Sequence, residues 1–223
     1  YINMVPWTTD IIYVPDAAFK AYLVENFDAD SDGEISEDEA MDIESIDLSD
    51  VTTKIATLAG VEYMKNLKTL NAAYHSLTSL DLPHNNALTE VVVNNNKLKT
   101  LDLSGCTAIV SLECSSNKLV SLDVSAAAGL TDLACSNNDL GSLNLTNNKA
   151  LINLQCSGNN IATLNLKNLL SLETLYCRSN SLSVLDLSKN TALKELDCSS
   201  NNLTTLNLNK NTELELVYCR SNS

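Results

Sequence analysis

Aromatic side chains make up only 4% of the 223 residues, with a single Trp and two Phe. Any core this chain buries must therefore be aliphatic. Basic side chains are also scarce: 14 Lys and Arg face 28 Asp and Glu, for a formal net charge of -14. Such a field favours solubility and repels phosphate backbones, which argues against nucleic acid as a partner. No apolar run approaches the roughly 20 residues that span a bilayer. The chain starts at Tyr1 with no basic stretch leading into an apolar one, so it reads as a form from which any signal peptide has been removed. Histidine is limited to His75 and His84, far from any plausible nucleophile, and no phosphate loop occurs. Carboxylates such as Glu113, Asp132 and Glu195 fall at exposed repeat positions, where nothing would raise a pKa for acid catalysis. These deficits argue against an enzyme.

What is present is one sentence repeated. Its clearest copy, Leu172 to Ala192, reads LETLYCRSNSLSVLDLSKNTA, or L-x-x-L-x-C-x-x-N-x-L-x-x-L-x-L with a polar tail. Copies begin at Leu67, Leu88, Ile109, Leu130, Leu151, Leu172, Leu193 and Leu214, always 21 residues apart. A fixed period of this length with this pattern is the signature of a leucine-rich-repeat solenoid. The expected fold is mostly β, with a parallel sheet and a small helical N-terminal cap carrying an EF-hand-like loop. Three regions follow: a cap over 1–42, a degenerate first repeat over 43–66, and eight 21-residue repeats over 67–223, the last ending at its tenth position. The parent protein is accordingly expected to be longer.

Within each repeat, positions 3 to 7 are expected to form a strand, with positions 4 and 6 inward and 3, 5 and 7 outward. Strands about 4.8 Å apart make an array of about 35–40 Å. A second alternating segment, such as Leu185-Asp186-Leu187, turns two more aliphatics inward on the opposite side. Cys114, Cys135, Cys156, Cys177, Cys198 and Cys219 share position 6, where earlier repeats carry Ala72 and Val93. Substitution by small aliphatics indicates a ladder of packed thiols. Disulfides and a metal are the alternatives. Side-by-side Cβ vectors in a parallel ladder fit a disulfide badly, and close cysteine pairs of the zinc kind are missing. Cys106, at a turn, stands apart as a thiol that would be reactive if exposed. Position 9 is Asn in seven repeats and His75 in the first, a placement suited to satisfying backbone groups at the turn.

The cap opens with an apolar, β-prone segment, Tyr1 to Val14. Asp16 is placed to cap a helix whose stripe comprises Ala17, Phe19, Leu23 and Phe27. Asp28 to Glu39 then matches the calcium loop D-x-[DN]-x-[DN]-G-x₅-E. Asp28, Asp30 and Asp32 take positions 1, 3 and 5, and Gly33 makes the sharp turn. Glu34 offers its carbonyl, Ser36 takes the often water-mediated ninth place, and Glu39 closes the site. Residues 37–43 suit a short exit helix. A solvated acidic turn is the alternative, but it leaves the alternation of carboxylates and the sixth-place Gly unexplained. A lone loop points to a structural Ca2+ rather than to a sensor.

The repeats and cap resemble the bacterial internalin-type leucine-rich-repeat surface proteins, specifically the internalin-J-like group with 21-residue repeats and a cysteine ladder. Ala72 and Val93 depart from a complete ladder, and the repeat pattern runs to Ser223, so a C-terminal cap or anchor is expected in the longer parent. The resemblance implies a secreted or cell-surface bacterial protein that adheres to a protein or glycan through its concave sheet. Along the outward positions, small polar residues give way near the end to Tyr176, Arg178, Asp197, Tyr218 and Arg220. Tyr176 and Tyr218 lie two repeats apart, about 10 Å, and Tyr and Arg are the residue types most often found at binding hot spots. Plain cross-strand stacking is the alternative for this cluster. A structural spacer presenting another domain is the alternative for the chain as a whole.

Overall fold

The computed structural model describes residues 10–223; most of the apolar segment read at Tyr1 to Val14 falls on 1–9, outside the described residues. Nine strands of three residues, from Ser45–Asp47 to Leu216–Tyr218, form one parallel sheet in chain order. The register advances by 24 residues from Ser45 to Thr69 and by 21 from Thr69 to Glu90 and onward. Opposite them, Ser79–Asp81 and Thr100–Asp102 form a separate parallel pair. The molecule is a leucine-rich-repeat solenoid.

The strands are shorter than the expected positions 3 to 7 and cover only positions 3 to 5. The cause lies at position 8, where every coil has a left-handed backbone, with φ from 54° at Ser179 to 64° at Gly158. That residue turns the chain out of the strand. Backbone pairing nevertheless continues past the strand: Cys156 and Gly158 each donate 2.8 Å hydrogen bonds to the next coil's Tyr176 and Arg178 carbonyls. Asn and Ser tolerate this conformation, whereas Tyr74 adopts it at φ 62° with a bulky, exposed side chain.

Alternation sets the core. Positions 4 and 6, such as Leu154 and Cys156, are buried, as are Leu185 and Leu187 on the opposite side. The thiols of Cys114 to Cys198 are buried and free, while Cys219 in the last coil is exposed. Cys106 is not the exposed thiol considered above: it is fully buried, and burial pushes its pKa up to about 11.

At the front, helix α1 (Ala17–Phe27) starts at Asp16, whose Oδ1 accepts from the Ala18 and Phe19 N–H groups. Its other oxygen accepts from Ala56 N–H at 2.7 Å, tying the helix start to the first coil. Phe19 and Leu23 are buried in the same core as the coils, and Phe27 is half-buried. Ala17 is exposed instead, and Ala18 packs inward in its place. Helix α2 (Glu37–Asp42) begins in a capping box between Ser36 and Glu39.

Candidate functional site

The loop between α1 and α2 is held by its own carboxylates. Asp28 Oδ1 accepts from Ser31 and Asp32 N–H, and Oδ2 from Gly33 N–H at 2.9 Å. Gly33, at φ 86°, supplies the left-handed turn that allows this. Asp30 and Asp32 accept from Asp32 and Glu34 N–H in turn. One oxygen from each of Asp28, Asp30 and Asp32 lies within 4.8 Å of the others. Glu39 reaches back across the loop, with Oε1 on Ala29 N–H and Oε2 on Ser36. Backbone hydrogen bonds, the Gly33 bond first, hold the Asp28 carboxyl below its ordinary pKa. Asp30 is pushed up by partial desolvation and by repulsion from Asp32, Glu39 and Asp28. This all-oxygen donor set fits a hard divalent cation. Ser36 is engaged in the α2 cap, and the Glu34 side chain turns away to Lys20 at 2.5 Å.

The loop also has a strand partner that its motif does not reveal. Ser36 bridges antiparallel to Ile11, with Ile12 N–H donating to Ile35 O and Glu37 N–H to Asp10 O, both at 2.9 Å. Ile12 and Ile35 are both buried at this pairing.

On the solvent face of the large sheet, register pairs Tyr176 with Asp197 and Asp197 with Tyr218. The three form one row across adjacent coils, as the repeat predicts. The Tyr176 hydroxyl donates to Glu195, and this bond raises the phenol pKa. Arg178 and Arg220 are exposed one row away, at position 7 on either side of Ser199. In earlier coils the same row is a serine ladder, where the hydroxyls of Ser115, Ser136 and Ser157 accept the next coil's N–H at 3.1 Å.

Two polar ladders hold the coils in register beneath this face. At position 9, Asn159 accepts from Leu140 N–H at 3.1 Å and donates to the Cys135 and Cys156 carbonyls at 3.1 and 3.0 Å. Asn96, Asn138 and Asn201 repeat the pattern. His75 substitutes at the front, accepting at Nδ1 from Ile55 N–H and donating from Nε2 to Leu48 O. Burial lowers its pKa, so the neutral ring is the stable form. The second ladder, at position 19, went unread in the sequence. Asn85, Asn148, Asn190 and Asn211 each donate to two carbonyls of the preceding turn. Cys106 belongs to it, with Sγ 3.2 Å from Leu82 O.

No known family model and no curated protein matches the chain. Among solved structures, it is similar to the functional domain of InlJ from Listeria monocytogenes, which includes a cysteine ladder. The two share 31% identity at a TM-score of 0.75, covering 93% of this chain and 51% of InlJ. The chain thus spans about half the length of that relative. Internalin C2 of the same species matches in fold, with 21% identity, a TM-score of 0.81, and coverage of 96% and 95%. The leucine-rich effector YopM of Yersinia pestis matches with 25% identity, a TM-score of 0.66, and coverage of 80% and 49%. Among the described residues, no helix is long and apolar enough to cross a membrane. With its 21-residue coils and its own buried cysteine ladder, the chain belongs to the internalin-type leucine-rich-repeat proteins.

Proposed function

We propose that the chain is a non-enzymatic recognition module of a secreted or surface-attached bacterial protein. It binds a protein or glycan on the solvent face of its last coils. The observation that carries this reading is the Tyr176–Asp197–Tyr218 row flanked by Arg178 and Arg220, on a sheet face otherwise lined by small polar and acidic residues. Tyr and Arg give large contact area with directional donors, and they are the residue types enriched at binding hot spots. The test is an array of matrix proteins and glycans probed with the wild type and with Tyr176→Ala/Arg178→Ala. A ligand bound equally by both removes the reading. The even ladder of 21-residue coils favours a second role, that of a stiff spacer; failure of the folded protein to bind any array member would favour it.

The cap loop is proposed to hold a structural Ca2+ through Asp28, Asp30, Asp32, the Glu34 carbonyl, Glu39 and, through water, Ser36. When bound, the ion would neutralise a carboxylate cluster that otherwise repels itself. At free calcium of about 100 times its dissociation constant, binding would add about 2.7 kcal/mol. The melting temperature should then rise by about 5–10 °C in a chain of this size. Glu39→Gln should abolish the rise. An unchanged melting temperature in millimolar calcium would remove the ion from the account.

A further inference from the structure

The chain contains only two arginines, Arg178 and Arg220, and they occupy the same position in two copies of one triplet, Tyr176-Cys177-Arg178 and Tyr218-Cys219-Arg220. The coil between them carries Asp197-Cys198-Ser199. Register through Glu195–Asp197 places the two triplets two strands apart, so the arginines are spaced by about 10 Å along the solenoid axis. Three lysines form ion pairs, but neither guanidinium does among the described residues. The same face is otherwise acidic, with Asp47, Glu90, Glu113, Asp132 and Glu195 on its outward rows, Glu195 being engaged by the Tyr176 hydroxyl. An anionic ligand is therefore favoured only over the last three coils, and only near the arginine row.

Between the arginines the surface changes character. Asp197 lies between two tyrosines in the neighbouring row, offering a carboxylate acceptor beside two aromatic rings. Ser199, in the arginine row, has a buried hydroxyl with no partner. A uniformly anionic ligand would be repelled at Asp197. A ligand that presents hydroxyls there and acids on either side meets complementary groups at all three places. An extended pyranose chain advances by about this arginine spacing every two rings.

We propose that this surface binds an acidic glycan whose carboxylates or sulfates recur on every second sugar, one anion on each of Arg178 and Arg220 and the intervening neutral sugar over Asp197. The proposal rests on the recognition role assigned above to this face and narrows it to one ligand class. Guanidinium–carboxylate or guanidinium–sulfate pairing supplies two charge-assisted contacts. The tyrosines supply apolar faces for the sugar rings.

The test is calorimetric titration of the 223-residue chain with three probes of matched length. These are an oligosaccharide of alternating uronate and neutral sugars, an uncharged glucan, and an oligoglutamate peptide. The alternating oligosaccharide should bind, more weakly at high salt, and the other two should not. Arg178→Gln or Arg220→Gln should each weaken binding about ten- to a hundredfold, and the pair should abolish it. Both side chains are exposed, so an unchanged melting temperature will show the variants folded. Arg178→Lys, which keeps the charge but loses the bidentate fork, should fall between wild type and Gln. Binding that survives in the double Gln variant, or a preference for the glutamate peptide, overturns the proposal. A preference for the uncharged glucan that is lost with Tyr176→Ala also overturns it, while leaving the recognition face intact. Ligand binding that is indifferent to every one of these substitutions removes both.

Discussion

Asn159 offers the sharpest test of how the coils are held together. Its amide joins two adjacent coils: Oδ1 accepts from Leu140 N–H and Nδ2 donates to Cys135 O in the preceding coil, while Nδ2 also donates to Cys156 O in its own, all within 3.1 Å. The residue is 7% exposed, so water does not replace these partners freely. Asn159→Ala strands one buried N–H and removes the shared donor of two carbonyls. At about 1–3 kcal/mol for each unsatisfied buried group, and with the carbonyls keeping other partners, the loss should be about 3–5 kcal/mol. For a chain of this length that lowers the melting temperature by about 6–20 °C. Asn159→Asp should cost as much, because it keeps the acceptor but turns a negative charge toward two carbonyls. Asn165→Ala is the control: that side chain is exposed and accepts only Lys167 N–H at 3.3 Å. It should cost at most about 0.5 kcal/mol. Thermal and urea melts followed by circular dichroism read all three. A loss for Asn159→Ala no larger than that of the control would refute the ladder's role.

Three further outcomes follow from the same contacts. Native-state alkylation at pH 8, read by mass spectrometry, should label Cys219 first and leave Cys106 and Cys114 unmodified, since both are buried and their pKa values are pushed up to about 11 and about 12. Early labelling of Cys114 would break the ladder's account. His75 has a folded pKa below its ordinary 6.5, so the unfolded chain takes up the proton first, and stability should fall as pH drops below about 6.5. His75→Asn, the residue found at this position in the other coils, should flatten stability between pH 7 and 5 in denaturant titrations; an unchanged slope would contradict the neutral-ring assignment. Asp16→Ala removes the α1 cap together with the Ala56 tie and should cost about 1–3 kcal/mol. The carboxyl is held below its ordinary 3.8 by the Ala56, Phe19 and Ala18 N–H groups against opposing desolvation. That share of stability is present above pH 3.8 and fades as pH falls through the lower folded value. A chevron or melt showing no loss at neutral pH would sink it.

The parts of the fold that repeat were legible because repetition averages out local ambiguity. Leu175 and Cys177 are inward and Tyr176 is outward because a period of two fixes the face, whatever the strand's length. The length itself was misjudged, since no pattern letter announces the left-handed residue at position 8, which is Asn, Ser, Gly or even Tyr74. The role of Cys106 was hidden for a related reason. Seen alone it is an odd cysteine, but seen against Asn85 and Asn148 it is a weak donor filling an asparagine slot. Ala127 and Leu169 interrupt that column and hide it. In the cap, the spacing of Asp28, Asp30 and Asp32 was readable because ligand geometry dictates it. The bridge from Ile11 to Ser36 was not, because pairing between distant short segments leaves no local period. On the binding face, the residue types could be read from the repeat, but the bond from Tyr176 to Glu195 depends on side-chain reach between coils.

The central claim, recognition through the last coils of the sheet, is tested most directly by hydroxyl-radical footprinting of the protein with and without its selected ligand. The molecule carries its own controls: Tyr218 is 50% exposed on the face, while Tyr74 and Tyr13 are 64% and 76% exposed elsewhere. Protection of Tyr176 and Tyr218, with Tyr74 and Tyr13 oxidised as before, is the predicted result. Protection of Tyr74 or Tyr13 with Tyr218 left open would contradict it.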